Sequence, residues 1–383
     1  MRTLKILHVL RAPIGGLFRH VVDLVQGQIA RGHLVGIVAD STTGNARSRE
    51  VFAALAPMLA LGITLTPIQR PFGPHDFAAG WHVTKRVRRA EPDVIHGHGA
   101  KGGAFARLTP AAKPAVRAYT PHGGSLLLDH ASRTGKAYLA LERLLMRRGD
   151  IYLFESAYSA RIFTDRIGEP SGLVRVVHNG VSRSEFSPVA LAPHATDLVF
   201  LGEFRPVKGI DLLIDAVAQL KREGLPLSAT LVGEGPELPA LTAQVERTGL
   251  AGVIRFAPPM PARAAMALGR LMVIPSRAES LPYVVLETAA AGKPLIATAV
   301  GGIPEIYGPL SNGLIRPGDV RALADAIGNA IRQPNTIEWA TQELRTRVAG
   351  EFSVDSMVDD VLAGYVQAIR RKPALSRSLF AHA

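Results

Sequence analysis

The chain of 383 residues contains no cysteine. Disulfides and thiolate chemistry are therefore excluded, and the absence fits a reducing compartment. Aromatic residues make up only 6%, and no zinc-finger, helix-turn-helix or base-stacking pattern is present, so no nucleic-acid partner is expected. No apolar run reaches the roughly 18 to 20 residues that span a bilayer. The opening MRTLKILHVLRAPIGG, interrupted by His8 and followed by charge, reads as a first buried strand and not as a signal peptide. No paired-aspartate motif for a divalent ion stands out. The expected location is cytoplasmic, with peripheral attachment to the inner face of the plasma membrane allowed by the basic character.

What the chain does hold is a foldable composition, 47% hydrophobic and 20% charged, with 37 glycines and 27 prolines. Its length fits two domains of ordinary size. The net charge of +12 is unevenly placed: residues 1–190 carry 25 Lys and Arg against 13 Asp and Glu, which leaves 19 of each sign for the rest. An excess confined to one half suits an anionic acceptor or an anionic membrane surface.

In the first half, residues 5–10 form an apolar strand that runs into Gly15 and Gly16, and an amphipathic helix follows over 17–30. Strand, glycine loop, helix is the beginning of a Rossmann-like unit, although the full dinucleotide fingerprint is missing. Further strands are expected at 35–39 and 63–67. A helix over 81–90 carries Lys85, Arg86, Arg88 and Arg89 on its polar face, either simply solvated or steering anions at an interface. The strand 93–98 ends in His96 and His98, whose alternation could support a metal, but no acidic or cysteine partner lies near, and a hydrogen-bonded strand end is the preferred reading. The strand 116–120 leads into Pro121, His122, Gly123 and Gly124. A histidine just beyond a strand and flanked by glycine is expected to be more exposed than a core histidine, which makes His122 the first candidate for chemistry among the 12. Helices over 136–148 and 156–167 and strands over 150–155 and 174–177 complete this half. The stretch SPVALAPHAT after Phe186 is the expected linker, dividing an N-terminal domain 1–186 from a C-terminal domain 187–352.

The second half opens with a strand over 197–202 and the loop EFRPVKG, then a helix over 210–221. Arg205 and Lys208, just before a helix N-terminus, combine fixed cations with free backbone N–H groups, a combination that suits a diphosphate. Strands follow at 228–233, 253–257 and 271–274. The stretch RAESLPYVVLETAAAGKPLIATAVGGIPE, residues 277–305, then gives a polar loop with Glu279, a helix with Glu287 capped by Ser280 or a neighbour, a strand over 295–299 and the loop at Gly301 and Gly302. That order presents ligand-binding loops at the carboxyl ends of parallel strands. A carboxylate is repelled by phosphate, so hydroxyls of a sugar or ribose are the natural partners of the two acids. A short exposed strand, NGLIRP, within 308–319, a helix over 320–331, a last helix over 353–370 that must dock on something, with a crossing back to the first domain as the candidate, and a basic tail at 371–383 finish the chain.

These features together resemble glycosyltransferase family 4, which has the GT-B fold, an α/β architecture of two Rossmann-like domains facing a central cleft. The resemblance covers about residues 6–369. Its most specific part is ESLPYVVLE followed by TAAAGKPLIATAVGGIPE, supported by Gly15–Gly16, the His122 loop, HNGV at 178–181 and VKG at 207–209. It implies a retaining transferase that takes a UDP-sugar or GDP-sugar without metal. By the same resemblance Glu279 meets the donor sugar's 3- and 4-hydroxyls and Glu287 the ribose, with Leu281 and Pro282 beside them. Lys208 and the Gly15 and Gly16 amides meet the diphosphate, and His122 lies near the reacting centre. One departure stands out: the family commonly has its phosphate-binding arginine where this chain has Glu203, and Arg205, two residues on, is the candidate substitute.

The acceptor implied by the charge is a glycan or lipid-linked intermediate of envelope or exopolysaccharide assembly. Two alternatives stay open on the sequence: a nucleotide-sugar 2-epimerase of related fold, and a non-catalytic nucleotide-sugar-binding protein.

Overall fold

The computed structural model describes residues 2–70, 73–123 and 132–372. The chain divides into two compact units, Met1–Asn179 with Val354–Ala383, and Gly180–Ser353.

In the first unit the strands are β1 (Lys5–Leu10), β2 (Leu34–Asp40), β3 (Gly62–Thr66), β4 (Val94–His98), β5 (Val116–Thr120), β6 (Ile151–Phe154) and β7 (Leu173–Val176). They lie in the order β3-β2-β1-β4-β5-β6-β7, all pairings parallel. Strands covered on both faces are mainly apolar; β1 and β4 are buried along nearly their whole length, and their histidines His8, His96 and His98 are hydrogen-bonded there. The order reverses between β1 and β4, so the loops after these strands diverge and leave room for a ligand there.

Helix Gly15–Ala30 starts at Gly15 itself, two residues earlier than expected, and Gly15 makes the turn into it at φ +66°, a left-handed conformation open to glycine. The helix expected at 81–90 begins at His75, and Ala46–Leu55 is a helix that the pattern did not reveal, its Asn45 side chain capping the Ser48 amide. Helix Gly99–Leu108 lies so close to β1 that a Cβ on Gly102 would stand 2.3 Å from the Val9 carbonyl oxygen, which accounts for the small residues of KGGAF.

This unit buries an ion pair. Arg107, 1% exposed, donates from Nη2 to Glu142 Oε2 at 2.8 Å, while the Tyr119 hydroxyl donates to Glu142 Oε1 at 2.6 Å and the Tyr119 ring lies 4.0 Å from the guanidinium. Replacing Glu142 by Ala strands a buried guanidinium, which costs about 3–5 kcal/mol. Urea unfolding of Glu142→Ala should show a loss of that size; a loss under about 1 kcal/mol would contradict it.

In the second unit the strands are β8 (Thr196–Leu201), β9 (Ala229–Val232), β10 (Ile254–Ala257), β11 (Gly269–Ile274) and β12 (Leu295–Ala297), ordered β10-β9-β8-β11-β12 and again parallel. Here the order reverses between β8 and β11. Of the expected exposed strand NGLIRP, residues 312–317, only Ile315 forms a bridge, to Thr298, and Asn312 and Gly313 belong to the 3₁₀ turn Gly308–Gly313. Helix Pro334–Glu351, also unanticipated, packs Leu344 and Val348 into the same core as β11 and β12.

The division between the units falls at Asn179 and Gly180, seven residues before the expected boundary. Hydrogen bonding explains the shift. The Val181 amide donates to the Phe352 carbonyl at 2.8 Å, and Arg345 and Arg263 donate to the Phe186 and Glu185 carbonyls, so 180–186 is held by the second unit. The last helix, Val354–Arg370, belongs by its contacts to the first unit, where Met357, Val361, Tyr365 and Ile369 join Ile6, Val94 and Ile151 in one core. All of the expected basic tail beyond Lys372 lies outside the described residues, as does Gly124. Among the described residues no helix is long and apolar enough to cross a membrane.

Candidate active site

At the β8/β11 reversal two loops meet, and the sequence separates them by some 70 residues. The loop after β8 ends in a 3₁₀ turn, Pro206–Lys208, and Gly209, which at φ +65° opens helix Ile210–Arg222. A Cβ on Gly209 would lie 2.1 Å from the Pro275 carbonyl oxygen of the second loop. The Arg277 amide donates to the Val207 carbonyl at 2.7 Å, and the Arg277 guanidinium forks onto Asp211 at 2.7 and 2.6 Å. Arg277 and Asp211 pin the loops together, a role that sequence reading missed because nothing local links residues so far apart.

The pinned loops bring Lys208 and Glu279 into contact. Lys208 donates from Nζ to Glu279 Oε1 at 2.6 Å, and the buried Ser276 hydroxyl donates to the same oxygen at 2.7 Å. Both bonds fall on Oε1, which leaves Oε2 to take a hydroxyl. The Glu279 carboxylate is nearly enclosed and the ammonium is a quarter exposed, so the cation keeps one side open to an anion. Ser276 carried no sequence signal beyond its place after a strand.

The Gly301–Gly302 loop closes the same edge. Gly301, at φ +60°, sits where a Cβ would stand 2.0 Å from the Glu279 carbonyl oxygen, and the Gly302 amide donates to the Ser280 carbonyl at 2.6 Å. Helix Tyr283–Ala290 is capped at Pro282 with no side-chain cap, so the expected Ser280 cap does not form; Pro282 is extended and lacks a side-chain acceptor. The Val285 amide donates to the Pro282 carbonyl at 3.2 Å, and Leu281 is buried against the core. Glu287 is part-buried in this helix. Arg205 is more open, 41% exposed in its side chain and 3.6 Å from Glu203.

In the first unit, Gly15 and Gly16 are exposed at the uncapped start of their helix, beyond the end of β1. His122 departs from expectation. Its backbone takes φ +53°, and its ring turns inward, where Nε2 lies 3.0 Å from Nδ1 of His98. His98 Nε2 in turn bonds His8 Nδ1 at 2.9 Å, and His8 Nε2 bonds Gln28 Oε1 at 2.9 Å. His96 is satisfied on both nitrogens, by the Tyr365 hydroxyl and Thr120 Oγ1, and His20 Nδ1 bonds Asn179 Oδ1. Burial lowers every one of these histidine pKa values, His8 and His20 to about 4.

Two family models match consecutive stretches of the chain: Glycosyltransferase Family 4 over residues 14–185 and Glycosyl transferases group 1 over residues 195–333. The chain belongs to glycosyltransferase family 4. This glycosyltransferase uses a nucleoside-diphosphate-sugar donor. It is 25% identical to a glycogen synthase of Mycobacterium tuberculosis, across 97% of this chain and 96% of that one. It is 25% identical to a D-inositol 3-phosphate glycosyltransferase of Geodermatophilus obscurus, across 95% and 87%. Among solved structures it resembles sucrose-phosphate synthase from Thermosynechococcus elongatus, with TM-score 0.77 and 20% identity over 96% of this chain and 100% of that one. Anabaena HepE, solved with UDP and glucose, gives TM-score 0.75 and 21% identity over 94% and 98%. These likenesses give the glycosyltransferase the GT-B fold.

Proposed function

We propose that this family 4 enzyme is a retaining transferase that needs no metal and moves a sugar from a UDP-sugar or GDP-sugar to a hydroxyl of a lipid-linked or polysaccharide intermediate of envelope or exopolysaccharide assembly. The observation that supports this most is the Lys208–Glu279 contact, held by pinned loops where the sheet order reverses. As the sugar–phosphate bond breaks, negative charge grows on the β-phosphate and the sugar becomes oxocarbenium-like. Lys208, with Arg205 beside it and the positive end of helix Tyr283–Ala290, offers fixed positive charge to that phosphate and need not reorganise during the reaction. Glu279 orients the sugar through Oε2 while its charge holds Lys208 in place, and Glu287 takes the ribose hydroxyls. Front-face attack lets the acceptor hydroxyl give its proton to the leaving phosphate, so configuration is kept. In the first unit, the Gly15 and Gly16 amides suit phosphate oxygens and His122 the neighbourhood of the reacting carbon.

The acceptor reading rests on charge and exposed apolar surface. The three acids of the last helix, Asp355, Asp359 and Asp360, are offset by Arg370, Arg371 and Lys372, so the first unit keeps its basic excess. On helix His75–Ala90, Phe77 and Trp81 are 84% and 59% exposed, one turn apart, with Lys85 over the Trp81 ring and Arg88 and Arg89 following. Aromatic residues beside cations suit the interface of an anionic bilayer.

Thermal shift with UDP, GDP and ADP tests the donor: one diphosphate should raise the melting temperature by mass action, and no response to any of the three would refute nucleotide-sugar binding. Cosedimentation with vesicles of phosphatidylserine and phosphatidylcholine tests the membrane part, which fails if wild type and the Phe77→Ala, Trp81→Ala double variant stay equally in the supernatant.

A further inference from the structure

The histidines between β1, β4 and the start of helix Gly15–Ala30 form two groups with different chemistry. In the group His8, His96 and His98, the first two rings have both nitrogens engaged by protein partners, so that group is closed. The group His20, His98 and His122 is different. One ring nitrogen from each lies within 4.8 Å of the other two, and the rings of His20 and His122 meet edge to face at 4.6 Å.

Hydrogen bonding fixes which nitrogens carry lone pairs. Asn179 presents its carbonyl oxygen to His20 Nδ1, so Nδ1 holds the proton and Nε2 is bare; Nε2 is also buried and has no hydrogen-bond partner. Gln28 presents its carbonyl oxygen to His8 Nε2, so His8 Nδ1 is an acceptor and His98 donates to it from Nε2. That leaves His98 Nδ1 bare, and it takes the Nε2 proton of His122. Two bare nitrogens, each on a ring whose opposite N–H is anchored, therefore converge beside one imidazole proton. Anchoring the far nitrogen on a fixed acceptor is how proteins orient histidine ligands.

We propose that His20, His98 and His122 bind a divalent transition ion of the Zn²⁺ class. Three imidazoles without carboxylate or thiolate suit Zn²⁺, Co²⁺, Ni²⁺ or Cu²⁺ and not Mg²⁺ or Ca²⁺. Burial keeps the rings neutral, so the ligands are already in the form that binds metal. The ion replaces the His122 proton on the shared side, and that proton moves to Nδ1 of the same ring, leaving three neutral ligands and a fourth position open. The site is independent of the donor-site reading. One consequence does rest on it: an ion here occupies the His122 ring, so it inhibits transfer and is no cofactor.

Tag-free, chelator-dialysed full-length protein titrated with Zn²⁺ by calorimetry, and with Co²⁺ by visible absorption, should take up one ion per chain with the intense bands of a four-coordinate Co²⁺ site. Asn179→Ala, which frees the His20 ring but spares the ligands, should weaken binding roughly 10- to 100-fold. His98→Gln should abolish the Co²⁺ bands, whereas exposed His194→Ala should leave them intact. Absence of a stoichiometric ion, or binding unchanged in both Asn179→Ala and His98→Gln, overturns the proposal. Should His98→Gln fail to fold, ¹⁵N shifts of the wild-type His20 and His122 rings decide, since only coordination at Nε2 moves both on adding Zn²⁺. Nucleotide binding in the thermal-shift assay is read separately, so loss of one conclusion leaves the other standing.

Discussion

Lys208→Ala is expected to lower kcat by about 10²- to 10³-fold, the loss typical when one fixed donor to a developing oxyanion is removed. The fold should survive, because the ammonium is a quarter exposed and its removal leaves Glu279 still accepting from Ser276. Glu279→Gln should lose rate comparably. The amide keeps the shape of the carboxylate and can accept from Ser276, but it no longer neutralises Lys208 or draws on a sugar hydroxyl with full charge. Because the two side chains touch, their effects should not add: the double variant should be little worse than the poorer single one. Steady-state kinetics with unchanged circular dichroism check this, and full activity of Lys208→Ala removes its assignment. Arg205→Ala offers a contrast. Its guanidinium is more exposed and beside Glu203, so under the proposed function it is the lesser phosphate partner and a smaller loss is expected. A loss as large as that of Lys208→Ala would make Arg205 the principal cation.

The first unit should be acid-labile well above the carboxylate range. His8 and His20 are buried neutral, their pKa lowered from 6.5 to about 4 by loss of hydration. Between those values the unfolded chain binds protons that the native state refuses. Stability is therefore complete above about pH 6.5 and falls as pH drops toward 4. Each ring contributes roughly 3 kcal/mol over that window, and two such rings rival the whole stability of an ordinary domain, about 5–15 kcal/mol. His96, His98 and His122 shift the same way. Denaturant midpoints should hold from pH 8 to about 6.5 and then slide downward to pH 5, with fluorescence of Trp81 reporting the first unit. A midpoint flat to pH 5 would mean that the rings are hydrated or already charged in the native state.

The two sheets and nearly every strand are legible in the sequence, because buried parallel strands are short apolar runs and helices repeat at 3.6 residues. The sequence also marked the candidate loops: Arg205, Lys208 and Glu279 follow strands, and Glu287 lies in the next helix, at the end of an open sheet where ligands bind. Helices Ala46–Leu55 and Pro334–Glu351 escaped the pattern, since few of their side chains are buried and their apolar stripes are faint. Tertiary structure alone decided the rest. That Lys208 and Glu279 come within hydrogen-bonding distance, that Arg277 and Asp211 clamp their loops, and that Ser276 steadies the acid all depend on strand order, which places β8 beside β11 and is invisible to local periodicity. The histidines show the limit most clearly. His8, His20, His96, His98 and His122 sit on β1, its helix, β4 and the loop after β5, and each alone reads as an isolated polar residue. Only the adjacency of β1 to β4 and β4 to β5 gathers them into one buried cluster, and only the hydrogen bonds to Gln28 and Asn179 settle which of their nitrogens carry protons.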